Sequence, residues 1–161
     1  MLELLTWLEG SALGQGLRAS GVWTYGFLNL GHIAGIATLF GSVLLLDLRL
    51  LGCWRGIDLG AISRPTVPLA AAGFSLAVVT GASMLSFNAS EYHGNPFLLI
   101  KFPAIALGLV NVLVVSRMRV WREKDERELT QREQARLALA GGFSLGCWLT
   151  ALGAGRMIGY W

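Results

Sequence analysis

Residues 22–46 read VWTYGFLNLGHIAGIATLFGSVLLL, 25 residues without a charge, and Asp47-Leu48-Arg49 follows at once. A helix needs about 20 residues to cross a hydrocarbon core about 30 Å thick, so this run is long enough to span a bilayer. Two more uncharged runs match it, Pro65–Ser90 with 26 residues and Leu137–Gly155 with 19. Pro96–Ser116 is a fourth and carries one charge, Lys101. The chain has 161 residues, 54% of them hydrophobic and 14% charged, which bounds it to a single domain over residues 1–161. The expected fold is therefore all-α: an integral membrane four-helix transmembrane bundle. Its spans should cover about 22–46, 65–87, 96–116 and 137–159, after an N-terminal interfacial amphipathic helix over about 2–18.

Charge placement orients the bundle. Ten of the thirteen Lys and Arg residues fall in Asp47–Pro65 and Ser116–Arg136. Basic residues in short loops stay on the cytoplasmic side, and acids weigh little in that rule. Loops 47–64 and 117–136 are thus expected in the cytoplasm. Both termini are expected outside, on the periplasmic face of a bacterial inner (plasma) membrane. The net charge of +3 reads as this topology signal and as contact with anionic membrane lipids. No nucleic-acid partner is expected, because the loop charges alternate in sign and make no basic face. Cys53 and Cys147 are expected as free thiols. Met1–Leu17 lacks a basic start and carries Glu3 and Glu9, so no cleavable signal peptide is expected. In that segment Leu2, Leu5, Leu8 and Leu13 with Trp7 make an apolar side. Trp23, Tyr25 and Tyr160-Trp161 read as water-boundary aromatics. Arg64-Pro65 should start the second span with proline in its first turn. Interleaved charge predicts a solvated helical elbow over Glu123–Arg136.

Small residues mark close helix approaches: Gly31-x-x-x-Gly35, Gly142-x-x-x-Gly146, Gly155-x-x-x-Gly159 and the face Ala70, Gly73, Ala77, Gly81. The same faces would serve other membrane subunits or a homo-oligomer. Against this apolar background, polar residues in the outer half stand out. His32 lies near the middle of the first span, with Asn29 one turn outward. Lys101 and Arg156 each lie about one turn below an outer helix end. Glu91, Tyr92 and His93 occupy the external loop Asn88–Pro96. The helix order brings His32, His93, Lys101 and Arg156 toward one outward-facing cavity. Plain structural roles compete with that site. Lys101 and Arg156 would snorkel to water, Glu91 would pair with either cation, and His32 would hydrogen-bond Asn29 or a backbone carbonyl. Asp47 and Arg49 are expected to form an interfacial pair or to set a helix end.

The sharper reading of His32 is axial ligation of haem b, with Gly31 and Gly35 leaving room for the macrocycle and Lys101 and Arg156 pairing the propionates. His93 is the second candidate metal ligand, with Met84 or Met157 as replacements. A quinone site needs only one imidazole, with nearby cations and the aromatic rings of Tyr25, Phe27 and Tyr92. The leading expectation is a redox-associated membrane protein binding haem b or quinone in an outer-leaflet cavity near His32. The alternatives are a non-catalytic accessory subunit of a membrane complex, then a small solute or anion carrier. Phosphate-binding glycine loops, Cys-x-x-Cys and His-Glu-x-x-His motifs are absent, which argues against a conventional hydrolase and leaves open whether the chain is an enzyme.

Several segments are similar to those of a family of small bacterial four-helix inner-membrane proteins of unknown function. They are Gly31-His32-Ile33-Ala34-Gly35, Leu39-Phe40-Gly41, Leu44–Gly52, Tyr92, Asn95-Pro96-Phe97, Lys101 and Gly155–Tyr160. The resemblance runs through nearly the whole chain in the same order. It implies that His32, Asp47, Arg49, Lys101 and Arg156 are typical family positions. Asn29 stands where the family pattern would have an acid, so a proton relay through a carboxylate there is not implied. The first span also loosely resembles bacterial copper-resistance membrane proteins and b-type cytochromes with a histidine in an early helix.

Overall fold

The computed structural model describes residues 2–87, 89–124 and 129–161, without the side chains of Leu2, Leu4, Leu5, Leu8, Leu13, Val22 and Glu91. The predicted apolar set Leu2, Leu5, Leu8 and Leu13 therefore lies outside the described side chains, and so do any pairing by Glu91 and the loop residue Arg127. The described residues hold no strand. Their helices are α1 (Leu2–Gly10), α2 (Ala12–Ala19), α3 (Val22–Leu50), α4 (Leu59–Phe87), α5 (Pro96–Arg117), α6 (Arg119–Arg122) and α7 (Gln131–Met157), with 3-10 turns at Ala89–Tyr92 and Ile158–Tyr160. Four segments are long and apolar enough to cross a membrane: Trp23–Leu50, Leu59–Phe87, Pro96–Arg117 and Gln131–Tyr160. The all-α class and the four long apolar helices are as expected.

The helix ends differ from expectation, each for a local reason. α3 runs on to Leu50 and stops at Gly52, whose φ of +106° is open to glycine at little cost. Gly52 N–H donates to Arg49 O and Cys53 N–H to Leu48 O, the paired bonds of a Schellman cap. Asp47 consequently lies within the helix instead of at its boundary. α4 starts at Leu59, directly after Asp58, so Pro65 and Pro68 both stand inside it. The single N-terminal helix is broken in two at Ser11, whose hydroxyl accepts from Gly14 N–H and caps α2. The predicted helical elbow over Glu123–Arg136 is interrupted as well. α6 ends at Arg122, and α7 begins afresh from a capping box in which Thr130 and Glu133 satisfy each other's backbone N–H.

The chain divides into two compact units, Met1–Leu39 with Ala70–Asn95 and Phe40–Leu69 with Pro96–Trp161. In the first, α3 and α4 meet backbone to backbone. A Cβ at Gly35 would lie 2.8 Å from Ala77 N and 3.0 Å from Gly73 O, and one at Gly73 would lie 2.5 Å from Leu39 N. Only glycine allows this approach, which realises the expected strips at Gly31–Gly35 and Gly73–Gly81. α1 and α2 are tied to the far end of α4. Arg18 donates to Phe87 O (2.7 Å) and Glu9 O (2.6 Å), and Glu9 accepts from Ser90 N–H (2.9 Å).

The second unit is built around Leu59, Val115, Val120 and Leu137, with Leu46, Leu50, Trp121 and Ala140 packed on them. Its close approaches bring side chains onto glycine, with the Asp47 carbonyl beside Gly141 as well. Trp148 lies over Gly108, and Leu50 over Gly141, where an added Cβ would come within 2.9 Å of the Leu50 Cβ. Gly141, not Gly142, is thus the tight position. Gly146 and Gly159 have no described neighbour within 4 Å of an added Cβ, so only the first glycine of each of the two C-terminal motifs meets a neighbour within the described chain. Outward-facing positions are apolar, Leu139 and Leu30 among them, while Asp47, Ser63, Thr66, Ser86 and Ser144 are buried. Large exposed apolar surface along long helices suits lipid and is rare in water.

Candidate functional site

His32, on the third turn of α3, faces α4 within the first unit. Its Nδ1 lies 3.1 Å from Thr80 Oγ1. Thr80 has one hydroxyl proton, and it is given to Leu76 O at 2.6 Å, the usual back-bond of a helical threonine. The Thr80 oxygen is left to accept, so the hydrogen-bond pattern assigns a proton to Nδ1, which donates to it. In a neutral ring Nε2 is then the acceptor nitrogen. Gly81 gives the ring its place, since a Cβ there would come within 2.8 Å of Cε1. The partner of His32 is thus a side-chain hydroxyl on the facing helix. Asn29, expected as a neighbour, is exposed one turn earlier.

The room that Gly31 and Gly35 were expected to leave for a macrocycle is taken by α4. A Cβ on Gly31 would already sit 3.2 Å from Thr80 Cγ2, and Gly35 abuts the α4 backbone. His93 is exposed in the turn after the 3-10 helix, and Tyr92 is half-buried in that helix. Among the described residues no three His, Cys, Asp or Glu side chains gather as a metal-binding group. Near the start of α3 and the end of α4, the Tyr25 and Phe87 rings meet edge to face at 5.3 Å.

Lys101 and Arg156 belong to the second unit. The Lys101 stem packs across α7, with Cε and Nζ each 3.5 Å from where a Cβ of Gly155 would lie. That places its ammonium beside the residue that precedes Arg156. The exposed Arg156 guanidinium stacks over the Tyr160 ring at 4.7 Å and donates to the Tyr160 hydroxyl. The fold therefore brings Lys101 and Arg156 to adjoining positions on α5 and α7, and His32 to Thr80 and Gly81. The 570 Å³ groove lined by Leu51, Ala135, Ala138, Leu139, Gly142 and Phe143 is apolar and contains none of these residues.

The residue that the sequence pattern undervalued is Asp47. Its expected pairing with Arg49 is not formed, because Arg49 Nε donates to Ile57 O (2.9 Å) and secures the loop after α3. The other expectation for Arg49, a role at a helix end, is met. Asp47 is instead 3% exposed, facing Ser144 of α7. Cys53 and Cys147 are free thiols, the first exposed and the second buried.

Comparison of the chain with protein-family models, with curated proteins and with solved structures returns no match.

Proposed function

We propose that this chain is an integral component of a bacterial inner membrane that binds a quinone-type redox lipid at His32. In this reading both termini face the periplasm, α1 and α2 lie on the outer surface, and the two Arg-rich loops face the cytoplasm. The observation that carries it is the His32–Thr80 pair. Thr80 holds the imidazole by Nδ1 and fixes Nε2 as a basic nitrogen within an apolar helix pair. A quinone-type lipid in its reduced, quinol form supplies a hydroxyl that can donate to such a nitrogen. The chain's own part is to orient the ring through Thr80 and Gly81 and to offer a proton acceptor at Nε2.

Haem b is the rival ligand for the same imidazole, and a hydroxyl partner at Nδ1 would orient the ring for iron equally well. Quinone is favoured because the glycine face beside His32 is filled by α4. An absorption spectrum of the gently purified protein, oxidised and then reduced, together with solvent extraction of bound lipid, decides between them. The proposal expects a flat visible spectrum and quinone in the extract at a fixed ratio to protein, lost in His32→Ala. A Soret band that sharpens on reduction and disappears in His32→Ala would replace quinone by haem.

A second reading, an accessory subunit of a larger assembly, is favoured by a specific feature of α7. Gly146 and Gly153 have no described neighbour within 4 Å of an added Cβ, so a helix of another subunit would fit there. Co-purification of a partner at constant stoichiometry, lost in Gly146→Leu with Gly153→Leu, is its test.

A further inference from the structure

Asp47 is an acid in a place where acids are costly. It lies inside α3, in a segment long and apolar enough to cross a membrane, and is 3% exposed. One carboxyl oxygen, Oδ2, is fully enclosed and has no hydrogen-bond partner among the described residues. The interface around it is tight. A Cβ on Gly141 would sit 3.2 Å from Asp47 O and 2.9 Å from Leu50 Cβ. From α7 the polar group that faces the carboxyl is the neutral Ser144 hydroxyl, with the buried Cys147 one turn further on. On its own helix the nearest charge, Arg49, is turned to Ile57 O. Leu46 and Leu50 beside it are apolar. No described ion pair includes Asp47.

An unpaired carboxylate in such surroundings is costly, and natural chains meet that cost with a positive charge. The described chain offers none at Oδ2. We propose that Asp47 Oδ2, with Ser144 Oγ, is the seat of an exchangeable cation, either a proton or a small monovalent metal ion. Both bring one positive charge to the same oxygen. Intramembrane acids of this kind serve as ion- or proton-carrying positions. The site stands on different residues from the His32 reading, so either survives the failure of the other.

Labelling of the full chain in lipid nanodiscs with a lipid-soluble carbodiimide tests it. The reagent adds to a protonated carboxyl and rearranges to a stable N-acylurea, which peptide mass spectrometry locates. The proposal expects a label on Asp47 that is absent in Asp47→Asn. For a proton site the label falls as the pH rises and ignores sodium; for a metal-ion site, sodium or lithium suppresses it at constant pH. Ser144→Ala should weaken the metal protection in the second case. Absence of label on Asp47 across pH, with and without sodium, overturns the proposal. So does labelling that neither pH nor any monovalent ion changes. Because the wild-type protein alone decides these outcomes, a poorly folding Asp47→Asn would not blunt the test.

Discussion

Two glycine-dependent interfaces sit in the two units, and they differ in what the missing Cβ admits. Between α3 and α4, Gly35 and Gly73 admit backbone: the atoms an added methyl would strike are Ala77 N, Gly73 O and Leu39 N. Between α5 and α7, Gly108 and Gly155 admit side chains, Trp148 and Lys101 respectively. A backbone held by helical hydrogen bonds yields only if the whole helix moves, whereas a side chain yields by turning a rotamer. One residue type thus makes a rigid weld at Gly35 and Gly73 and an adjustable seat at Gly108 and Gly155. The His32 site is built on the weld.

That contrast orders a series of alanine substitutions. Gly73→Ala should be the most damaging, losing about 3 kcal/mol or more, because its Cβ would lie 2.5 Å from Leu39 N. Gly35→Ala should follow closely, and both should disturb His32 through the shared helix pair. Gly108→Ala, meeting Trp148 at 3.2 Å, should cost about 1 kcal/mol as the indole shifts. Gly155→Ala makes only ordinary contact with Lys101 and should change stability by less than about 0.5 kcal/mol. Thermal or denaturant unfolding in detergent ranks the four. An equal loss at Gly73 and Gly155 would erase the distinction between weld and seat.

Smaller effects sharpen the account of the first unit. Thr80→Val keeps the shape but removes the acceptor for His32 Nδ1–H, and should cost about 1 kcal/mol while freeing the ring to change tautomer. Nitrogen chemical shifts of the imidazole would register the change directly. Beyond the end of α4, the Ser90 hydroxyl and N–H hold the Glu9 carboxyl below the usual carboxylate range, helped by Arg18. A lowered folded value means that the tether stabilises the unit at and above that range. The contribution is lost as the pH falls through the lowered value. The protection factor of the Ser90 amide, its exchange rate relative to an unstructured amide at the same pH, should therefore fall on acidification, and Glu9→Gln should show the lower protection already at neutral pH. A Ser90 protection factor that acid leaves unchanged would remove Glu9 from the tether.

Much of this was legible in residue order, and the failures have physical causes. Uncharged runs located the four long helices because length and polarity alone decide that question. Gly31, Gly35, Gly73 and Gly81 were readable as close-approach positions from their spacing. Gly141 was passed over for Gly142 and Gly146 because a four-residue spacing says nothing of which helix faces which. Helix ends were misplaced although their signals were present: Gly52 after Arg49, Asp58 before Leu59, and Thr130-x-x-Glu133 before α7. The burial of Asp47 was hidden because it depends on three things at once: three more residues of α3, a glycine on another helix, and an Arg49 that prefers a loop carbonyl. His32 was visible as an oddity, but its hydroxyl partner, 48 positions away, was not.

The central claim is that the His32–Thr80 pair binds the quinol form of a quinone-type head group. Equilibrium binding of a short-chain quinol analogue, kept reduced, to the nanodisc-embedded protein tests it most directly, in wild type and in His32→Ala. The account predicts one saturable site in the wild-type chain and at least about a tenfold loss of affinity in the variant, equivalent to about 1.4 kcal/mol. Equal binding by the two proteins, or none by the wild type, would contradict it.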